Sequence, residues 1–197
     1  SGTSKIGDPS GKDKTRKLIE IDQIKKNFIS IKRNIEKFSL KGPKVKKIKF
    51  IDNATWLDNI NYIKFLREYG KHFSVNKMLS MDSINERLKR EQQLSFLEFN
   101  YMVLQAYDFV ELNKRKNCIV QFGGSDQWGN ITIGVDLIRR VNKKQAFGLT
   151  TPLLTNASGE KMGKTSKGAV WLDEKLLSSE SYWQFWRNIN DEDVLKF

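Results

Sequence analysis

The chain has 197 residues, of which 39% are hydrophobic and 11% aromatic, a composition typical of a folded rather than a disordered protein. No apolar run approaches the roughly 20 residues of a membrane-spanning helix, and the N-terminal residues contain no apolar segment that would predict a signal peptide. One cysteine (Cys118) excludes an internal disulfide and fits a reducing compartment, so we expect a cytoplasmic protein, and one histidine (His72) excludes a multi-histidine metal site.

The net charge of +12 is concentrated in the first quarter of the chain, because residues 1–50 hold 15 Lys and Arg against 5 Asp and Glu. This imbalance predicts contact with phosphates, through counterion release if the partner is a nucleic acid. The alternative is a compositional bias towards lysine in which the charges are only solvated.

The first half of the chain predicts helices around one strand. Apolar residues recur every three or four positions from Ile21 to Phe38, which indicates one helix. The segment KVKKIKFIDN is typical of a strand, with Ile48 and Phe50 on one face. A second helix is predicted through Leu57, Ile60, Ile63 and Leu66, with Gly70 as its C-cap, and a third from about residues 80–83 until QQLS interrupts it.

The second half predicts a strand–helix–strand unit. Ser95 and Glu98 form a capping box before a long helix. The strand CIVQF then ends at two glycines, Ser125 or Asp126 caps the next helix, and FGLTTPLL is a second strand. These spacings favour a βαβ unit in a parallel sheet and therefore an α/β fold.

The long helix carries an unusual polar stripe. Tyr101, Gln105 and Asp108 share one face of it, whereas the other faces carry apolar residues. The stripe could be the solvent face, but lysine and glutamate would then be expected there. We therefore favour a stripe that faces a ligand, because buried polar groups need partners.

The segment QFGGSDQWGN places two glycines and a helix N-terminus at the carboxyl end of a strand, where ligands of open α/β sheets bind. The glycines would let a ligand approach the backbone, and Asp126 could accept hydrogen bonds from a ribose. The alternative is an ordinary strand-to-helix turn. The spacing is not that of a GxGxxG dinucleotide fingerprint.

Two further segments are candidates for phosphate contacts. In GTSKIGDPSGKDKTR the spacing differs from that of a P-loop, but Lys12 and Arg16 lie four residues apart and could meet phosphate together. TNASGEKMGKTSKG combines three lysines with three glycines and predicts a mobile clamp for a polyanion. The alternatives are a surface turn for the first segment and a solvated hairpin for the second.

Taken together, these motifs resemble the catalytic domain of bacterial-type tyrosyl-tRNA synthetases, which are class I aminoacyl-tRNA synthetases. The resemblance runs through nearly the whole chain: GDPSGK, FIDNATWL, GKHFSVNKML, SFLEFNYMVLQAYDF, QFGGSDQWGNI, FGLTTPLL, EKMGKT and YWQFW. It implies a Rossmann-like parallel sheet with helices on both faces and a helical insertion. It also implies that L-tyrosine is activated with ATP, accompanied by Mg²⁺, and transferred to tRNA(Tyr), with no permanently bound cofactor.

The resemblance also implies roles for individual residues. Tyr101, Gln105 and Asp8 would hold the amino group of tyrosine, and Asp108 would take its phenolic hydroxyl. The remaining roles are those of Asn53, Gln121 and Gln127 beside the amino acid, of Gly124 and Asp126 at the ATP ribose, and of Lys161, Lys164, Thr165, Lys12 and Arg16 at the pyrophosphate. Phe96 would lie in a homodimer interface, the alternative being plain core packing.

The HIGH-type motif of the family has no counterpart here, since the chain has no second histidine. We therefore expect residues 1–197 to be a partial catalytic domain that is inactive by itself, without the HIGH-type segment and the C-terminal anticodon-binding and RNA-binding regions. Two alternatives are a tryptophanyl-type fragment, against which Asp108 argues, and a non-catalytic basic nucleic-acid-binding module, which would leave the Tyr101, Gln105 and Asp108 stripe without a role.

Overall fold

The computed structural model describes residues 2–6, 19–38, 48–91, 93–155, 170–195 and 197. The chain divides into two compact units, one formed by Ser1–Ser30 and Lys49–Thr151 and the other by Ile31–Ile48 and Pro152–Phe197. In chain order, the helices and strands are α1 (Ile21–Phe38), α2 (Ala54–Leu57), α3 (Tyr62–Glu68), α4 (Val75–Leu79), α5 (Asp82–Lys89), α6 (Phe96–Lys116), β1 (Val120–Gly124), α7 (Trp128–Val141), β2 (Phe147–Thr151), α8 (Ser179–Arg187) and α9 (Asp191–Val194).

The core of the first unit lies between α6 and α7. The predicted capping box is confirmed, because the Ser95 side chain accepts from the Glu98 backbone N–H and the Glu98 side chain accepts from that of Ser95. The apolar faces of α6 are buried as predicted, with Ala106, Phe109 and Val110 against α7 residues such as Ile138. This packing gives α6 a fixed position from which its polar stripe projects.

The predicted strand–helix–strand unit and the α/β class are confirmed. β1 and β2 pair in parallel, with Val120 opposite Phe147 and Gly124 opposite Thr151. One sheet face packs on α7, where Gly148 lies so close to Ile131 that an added Cβ would be 2.5 Å from its Cγ2. Phe122 and Leu149, which point to the other face, are exposed in the part of the chain that the structure describes.

The helix predicted through Leu57 and Leu66 is wrong as one continuous element, since it is split into α2 and α3. Asn61 adopts an extended conformation, and its side chain caps α3 by accepting from the Lys64 N–H at 2.9 Å. A short polar side chain of this kind competes with helical hydrogen bonding and starts a new helix instead. The C-cap of α3 is Tyr69, and Gly70 begins a 3-10 turn that ends at His72.

The strand predicted at KVKKIKFIDN is wrong over residues 48–53, which lie in no strand. No described strand pairs with this segment, and the Asp52 side chain accepts from the Ala54 N–H at 2.9 Å, which turns the chain into α2. The predicted cap by Ser125 or Asp126 is also wrong. Both residues lie in a 3-10 turn, Ser125–Gln127, and α7 then begins at Trp128 without a side-chain cap.

The predicted helix over Ile21–Phe38 is confirmed as α1, and the one predicted near residues 80–83 begins at Asp82 as α5. The second unit contains the end of α1 together with α8 and α9. Here Arg33 lies 3.6 Å from Asp173, and Lys37 pairs with Glu174. Of the helices in the described ranges, none has the length and apolar character needed to cross a membrane.

Candidate functional site

The polar stripe of α6 lies at the margin of the core rather than on an open surface. Tyr101, Gln105 and Asp108 are all half-buried, whereas the residues that flank them on α6 include fully buried Ala106 and Phe109. The interpretation of the stripe as a plain solvent face therefore does not hold. The role of the stripe in holding a ligand stays a prediction.

Asp108 is held by two side-chain donors from the segment before α3. Asn53 Nδ2 donates to Oδ2 at 2.7 Å, and Trp56 Nε1 donates to Oδ1 at 2.6 Å. Burial raises the pKa of the Asp108 carboxyl, and the two hydrogen bonds oppose that rise. A carboxylate has about four acceptor positions, so about two remain available for a further donor such as a phenol.

Asn53 is itself fixed from the N-terminal side. Its Oδ1 accepts from the Gly2 backbone N–H at 2.7 Å, and its Nδ2 lies 3.1 Å from Thr3 Oγ1. The amide therefore connects the turn at residues 2–6 to Asp108 on α6. Asn53 thus positions the Asp108 carboxylate, and its expected place beside the amino acid stays a prediction.

Gln105 and Gln127 are joined through a residue that the sequence interpretation did not assign. Asn130 Nδ2 donates to Gln105 Oε1 and to Gln127 Oε1, both at 3.1 Å. Each glutamine oxygen keeps a second lone pair that could accept from an ammonium group. This bridge places one turn of α7 against the stripe of α6.

Gln121 projects from β1 towards the same side. Its Oε1 is buried and has no hydrogen-bond partner among the described residues. It lies near Gly134, where an added Cβ would be 3.4 Å from that oxygen. A buried acceptor without a donor is unfavourable, and this oxygen lies where β1 meets α6 and α7.

The carboxyl end of β1 carries Gly123 and Gly124, and the 3-10 turn that follows it carries Asp126. A Cβ at Gly123 would lie 3.2 Å from Gln127 Cβ, so this glycine lets the Gln127 side chain approach the strand, and ligand approach to its backbone stays a prediction. Gly124 pairs with Thr151 at the carboxyl ends of both strands, and Asp126 is exposed beside it. This end of a parallel sheet is where nucleotides bind in open α/β folds.

Six predicted site residues lie outside the described residues: Asp8, Lys12, Arg16, Lys161, Lys164 and Thr165. Their roles stay predictions. Two site residues were missed, namely Trp56 and Asn130. Each lies three positions after a predicted site residue (Asn53 and Gln127), a spacing that places both on one side of a helical turn.

The complete chain, residues 1–197, matches the family model of the tRNA synthetases class I (W and Y). The chain belongs to this family. Among its curated relatives, the tyrosine–tRNA ligase of Pelagibacter ubique is 63% identical over 197 residues, and that of Rickettsia typhi is 60% identical over 196 residues. In both cases the match covers 100% of this chain and 48% of the relative, so the chain spans about half the length of these relatives.

Solved structures of class I synthetases agree with this assignment. A C-terminally truncated mitochondrial tyrosyl-tRNA synthetase of Aspergillus nidulans matches with a TM-score of 0.74 and 31% identity, covering 98% of this chain and 57% of that one. The corresponding protein of Coccidioides posadasii matches with a TM-score of 0.73 and 30% identity, covering 98% and 56%. The resemblance and the Rossmann-like fold class inferred from the sequence are thus confirmed.

Proposed function

We propose that this class I synthetase chain is the central part of the catalytic domain of a tyrosine–tRNA ligase. The ligase activates L-tyrosine with MgATP and transfers it to tRNA(Tyr), acting in the cytoplasm as a homodimer. The observation that carries the proposal is the Asp108 carboxylate, which two side chains hold at the end of a polar stripe with an acceptor position left over. The names of the relatives at 58–63% identity favour tyrosine over tryptophan.

Two observations support the proposal that the chain is part of a domain: the share of the relatives' length that it matches, and the exposed apolar face of its sheet. The match takes in 48% of the relatives, and the sheet leaves Phe122 and Leu149 exposed on one apolar face. An apolar sheet face of this kind is usually covered in a complete domain.

The site residues suit a reaction that depends on positioning. A carboxylate oxygen of tyrosine attacks the α-phosphate of ATP, the bond from phosphorus to the bridging oxygen breaks, and pyrophosphate leaves. A tRNA hydroxyl then attacks the carbonyl carbon and releases AMP. Neither step needs a covalent protein nucleophile, so orientation and charge stabilisation supply the catalysis.

In this proposal each group of the amino acid meets a matched partner. The ammonium group lies by Tyr101 and by the acceptor oxygen of Gln105, with Asp8 contributing, and the phenol donates to Asp108. Gln121 lines the amino-acid side from β1. At the carboxyl ends of the strands, Gly124 and Asp126 meet the ribose.

The residues proposed to bind the phosphates of ATP lie outside the described ranges. We propose that Lys161, Lys164 and Thr165 close on the pyrophosphate, helped by Lys12 and Arg16 on the other side. Cations on a glycine-rich segment can engage the leaving group as its charge develops and then release it. This role explains why the segment combines glycines with lysines.

The test is the Asp108→Ala substitution in the full-length protein that contains these residues. Tyrosine activation should fall sharply while phenylalanine activation changes little, because only tyrosine donates a hydrogen bond to this carboxylate. Each lost hydrogen bond to a charged group is worth about 1.5–3 kcal/mol, or roughly ten- to a hundredfold in kcat/KM. A site that hydrogen-bonds a substrate hydroxyl rejects the analogue lacking it, a general rule for which tyrosyl-tRNA synthetases are themselves the standard example.

The measurement is amino-acid-dependent exchange between ATP and pyrophosphate, with kcat/KM determined for both amino acids. Asp136→Asn on α7 is the matched control, since that carboxylate pairs with Arg139 and Arg140 away from the stripe. A tyrosine-to-phenylalanine ratio that survives Asp108→Ala would show that the hydroxyl is recognised elsewhere.

A further inference from the structure

A second set of contacts begins at Asp108 and leads along α6 away from the polar stripe. Trp56 donates from Nε1 to Asp108 Oδ1 at 2.6 Å. The guanidinium of Arg115 lies over the ring of this same tryptophan, with Cζ 5.3 Å from the ring centroid. A guanidinium at this distance from an indole is attracted electrostatically by the face of the ring.

Arg115 is not free to leave that position. Its Nε donates to Glu111 Oε2 at 2.7 Å, and the Glu111 side chain is only 8% exposed while that of Arg115 is 49% exposed. The two residues are four positions apart on α6, and a charge-assisted hydrogen bond of this length restrains the guanidinium. Asp108, Glu111 and Arg115 therefore lie along one side of the helix, with Trp56 packed across it.

Trp56 is buried, with 6% of its surface exposed, and belongs to the core of the first unit. Trp56 borders a cavity of about 370 Å³ that is also lined by Tyr107, Glu111 and Arg115. Arg115 borders the same cavity, and its guanidinium is one of the groups that contact the ring. The direction of the indole N–H therefore depends on the contacts that hold the ring.

We propose that Arg115, restrained by Glu111, is a positioning residue for tyrosine recognition. It holds the Trp56 indole so that Nε1 stays on Asp108 Oδ1, which orients the other carboxylate positions towards the tyrosine hydroxyl. This inference rests on the proposed function and assigns a role to a residue that does not touch the substrate.

Arg115→Met in the full-length protein removes the charge and keeps a long apolar side chain. The tyrosine-to-phenylalanine ratio of kcat/KM should fall about tenfold, mainly through a higher KM for tyrosine, because an indole N–H that leaves Asp108 Oδ1 no longer orients the carboxylate towards the phenol. Phenylalanine activation should stay within about twofold, since phenylalanine makes no bond to Asp108. Arg115→Lys keeps a cation that can pair with Glu111 but loses the planar guanidinium over the indole, so it should restore the ratio only in part.

Lys114→Met is the matched control. Lys114 is the neighbour of Arg115, lies 4.0 Å from Glu111 Oε1, and contacts an aromatic ring as well, but that ring belongs to Tyr69, at 5.3 Å from the centroid. The same change of charge and size should therefore leave the tyrosine-to-phenylalanine ratio unaltered. Because the ratio compares two substrates of the same variant, a loss of stability in Arg115→Met or Lys114→Met would not by itself change it.

The decisive comparison adds Trp56→Phe, which removes the indole N–H. If Arg115 acts through Trp56, Arg115→Met should change the ratio in the wild-type background and not in the Trp56→Phe background. Equal effects in both backgrounds, equal effects of Arg115→Met and Lys114→Met, or an unchanged ratio would each overturn the inference.

The proposed function is tested separately in the same assay. If wild-type protein and Asp108→Ala behave as expected while Arg115→Met does not, only the positioning role fails. If the wild-type protein shows no tyrosine-dependent exchange, the proposed function fails and the positioning role fails with it.

Discussion

Glu98 is a buried carboxylate at the start of α6 that bonds in two directions. One oxygen accepts from Arg87 at 2.9 Å, and the other accepts from the backbone N–H and the hydroxyl of Ser95, each at 2.9 Å. Burial alone would raise the pKa of Glu98, but the bonds from Arg87 and Ser95 outweigh it and hold that pKa below the ordinary value of 4.5. The folded protein therefore favours the ionised form.

Glu98→Gln should lower the free energy of unfolding at neutral pH by about 3 kcal/mol, since it breaks a buried ion pair while an amide oxygen can still complete the capping box. The stabilisation by Glu98 is present above the unfolded pKa and is lost as the pH falls through the lower folded pKa. The difference between wild type and variant should thus shrink as the pH drops below 4.5. Urea unfolding at neutral and acid pH measures both values.

The control for Glu98→Gln is Glu68→Gln on α3, where the carboxylate is 49% exposed and 4.0 Å from Lys64 Nζ. An exposed pair of this kind contributes less than about 1 kcal/mol at any pH. If the Glu98 variant differed from wild type by the same amount at every pH, ionisation of Glu98 would not be the source of its stabilising effect.

At the residue scale, the sequence predicted the local part of the site but not the hydrogen bonds between residues that lie far apart in the chain. The helical spacing of Tyr101, Gln105 and Asp108 is local, and the structure places all three on one half-buried stripe. The donors to Asp108 are separated from it by 52 and 55 positions, and no periodicity reports a pairing over that distance. Trp56 in particular is typical of a core residue by its type alone.

At the element scale, β2 lies unusually close to α7. A Cβ on Gly148 would be 2.5 Å from Cγ2 of Ile131, which is fully buried in the core. Gly148→Ala should therefore lower the free energy of unfolding by about 1–3 kcal/mol through overpacking, measured from the midpoint of urea unfolding.

Gly70→Ala is the matched control for this substitution. Its Cβ would lie 3.1 Å from Leu66 Cδ2, the end of a flexible and exposed side chain that can move away. The change in stability should stay within about 0.5 kcal/mol. Equal losses in both variants would argue against close packing of β2 on α7.

The elements that the sequence predicted correctly are those with a strong local signal. The capping box of Ser95 and Glu98 predicted the start of α6, and apolar periodicity predicted α1 and α7. The errors arise where two signals compete. Asn61 lies inside an apolar repeat, yet its side chain caps a new helix. The residues before Asp52 alternate as in a strand, yet the Asp52 side chain accepts from the Ala54 N–H and the chain enters α2.

At the scale of the whole molecule, part of the positive charge is compensated within its own unit. Arg33 and Lys37 pair with Asp173 and Glu174, whereas Lys26 is exposed on α1. Contact of the basic N-terminal quarter with phosphates stays a prediction. The pairing nevertheless reduces the number of cations available for such a contact on this part of α1.

Phe96 is the residue through which a homodimer can be tested most directly. It is the first residue of α6 and is 70% exposed, so the alternative of core packing within this chain does not hold. A large exposed aromatic side chain at a fixed helix end is suited to a two-fold interface, in which the same patch of each subunit meets its copy. This is the position that the family resemblance implies for a homodimer contact.

Phe96→Asp should shift the full-length protein from dimer to monomer in sedimentation velocity, because the interface would bring two buried carboxylates together without partners. The substitution is well suited to the test, since an acidic residue in the first turn is favourable for the helix dipole and should leave α6 intact. Circular dichroism checks that folding is retained. Phe96→Leu keeps an apolar side chain and should remain dimeric, so the two variants separate loss of apolar contact from loss of the aromatic ring. A dimer that persists at low protein concentration in Phe96→Asp would place the subunit interface elsewhere.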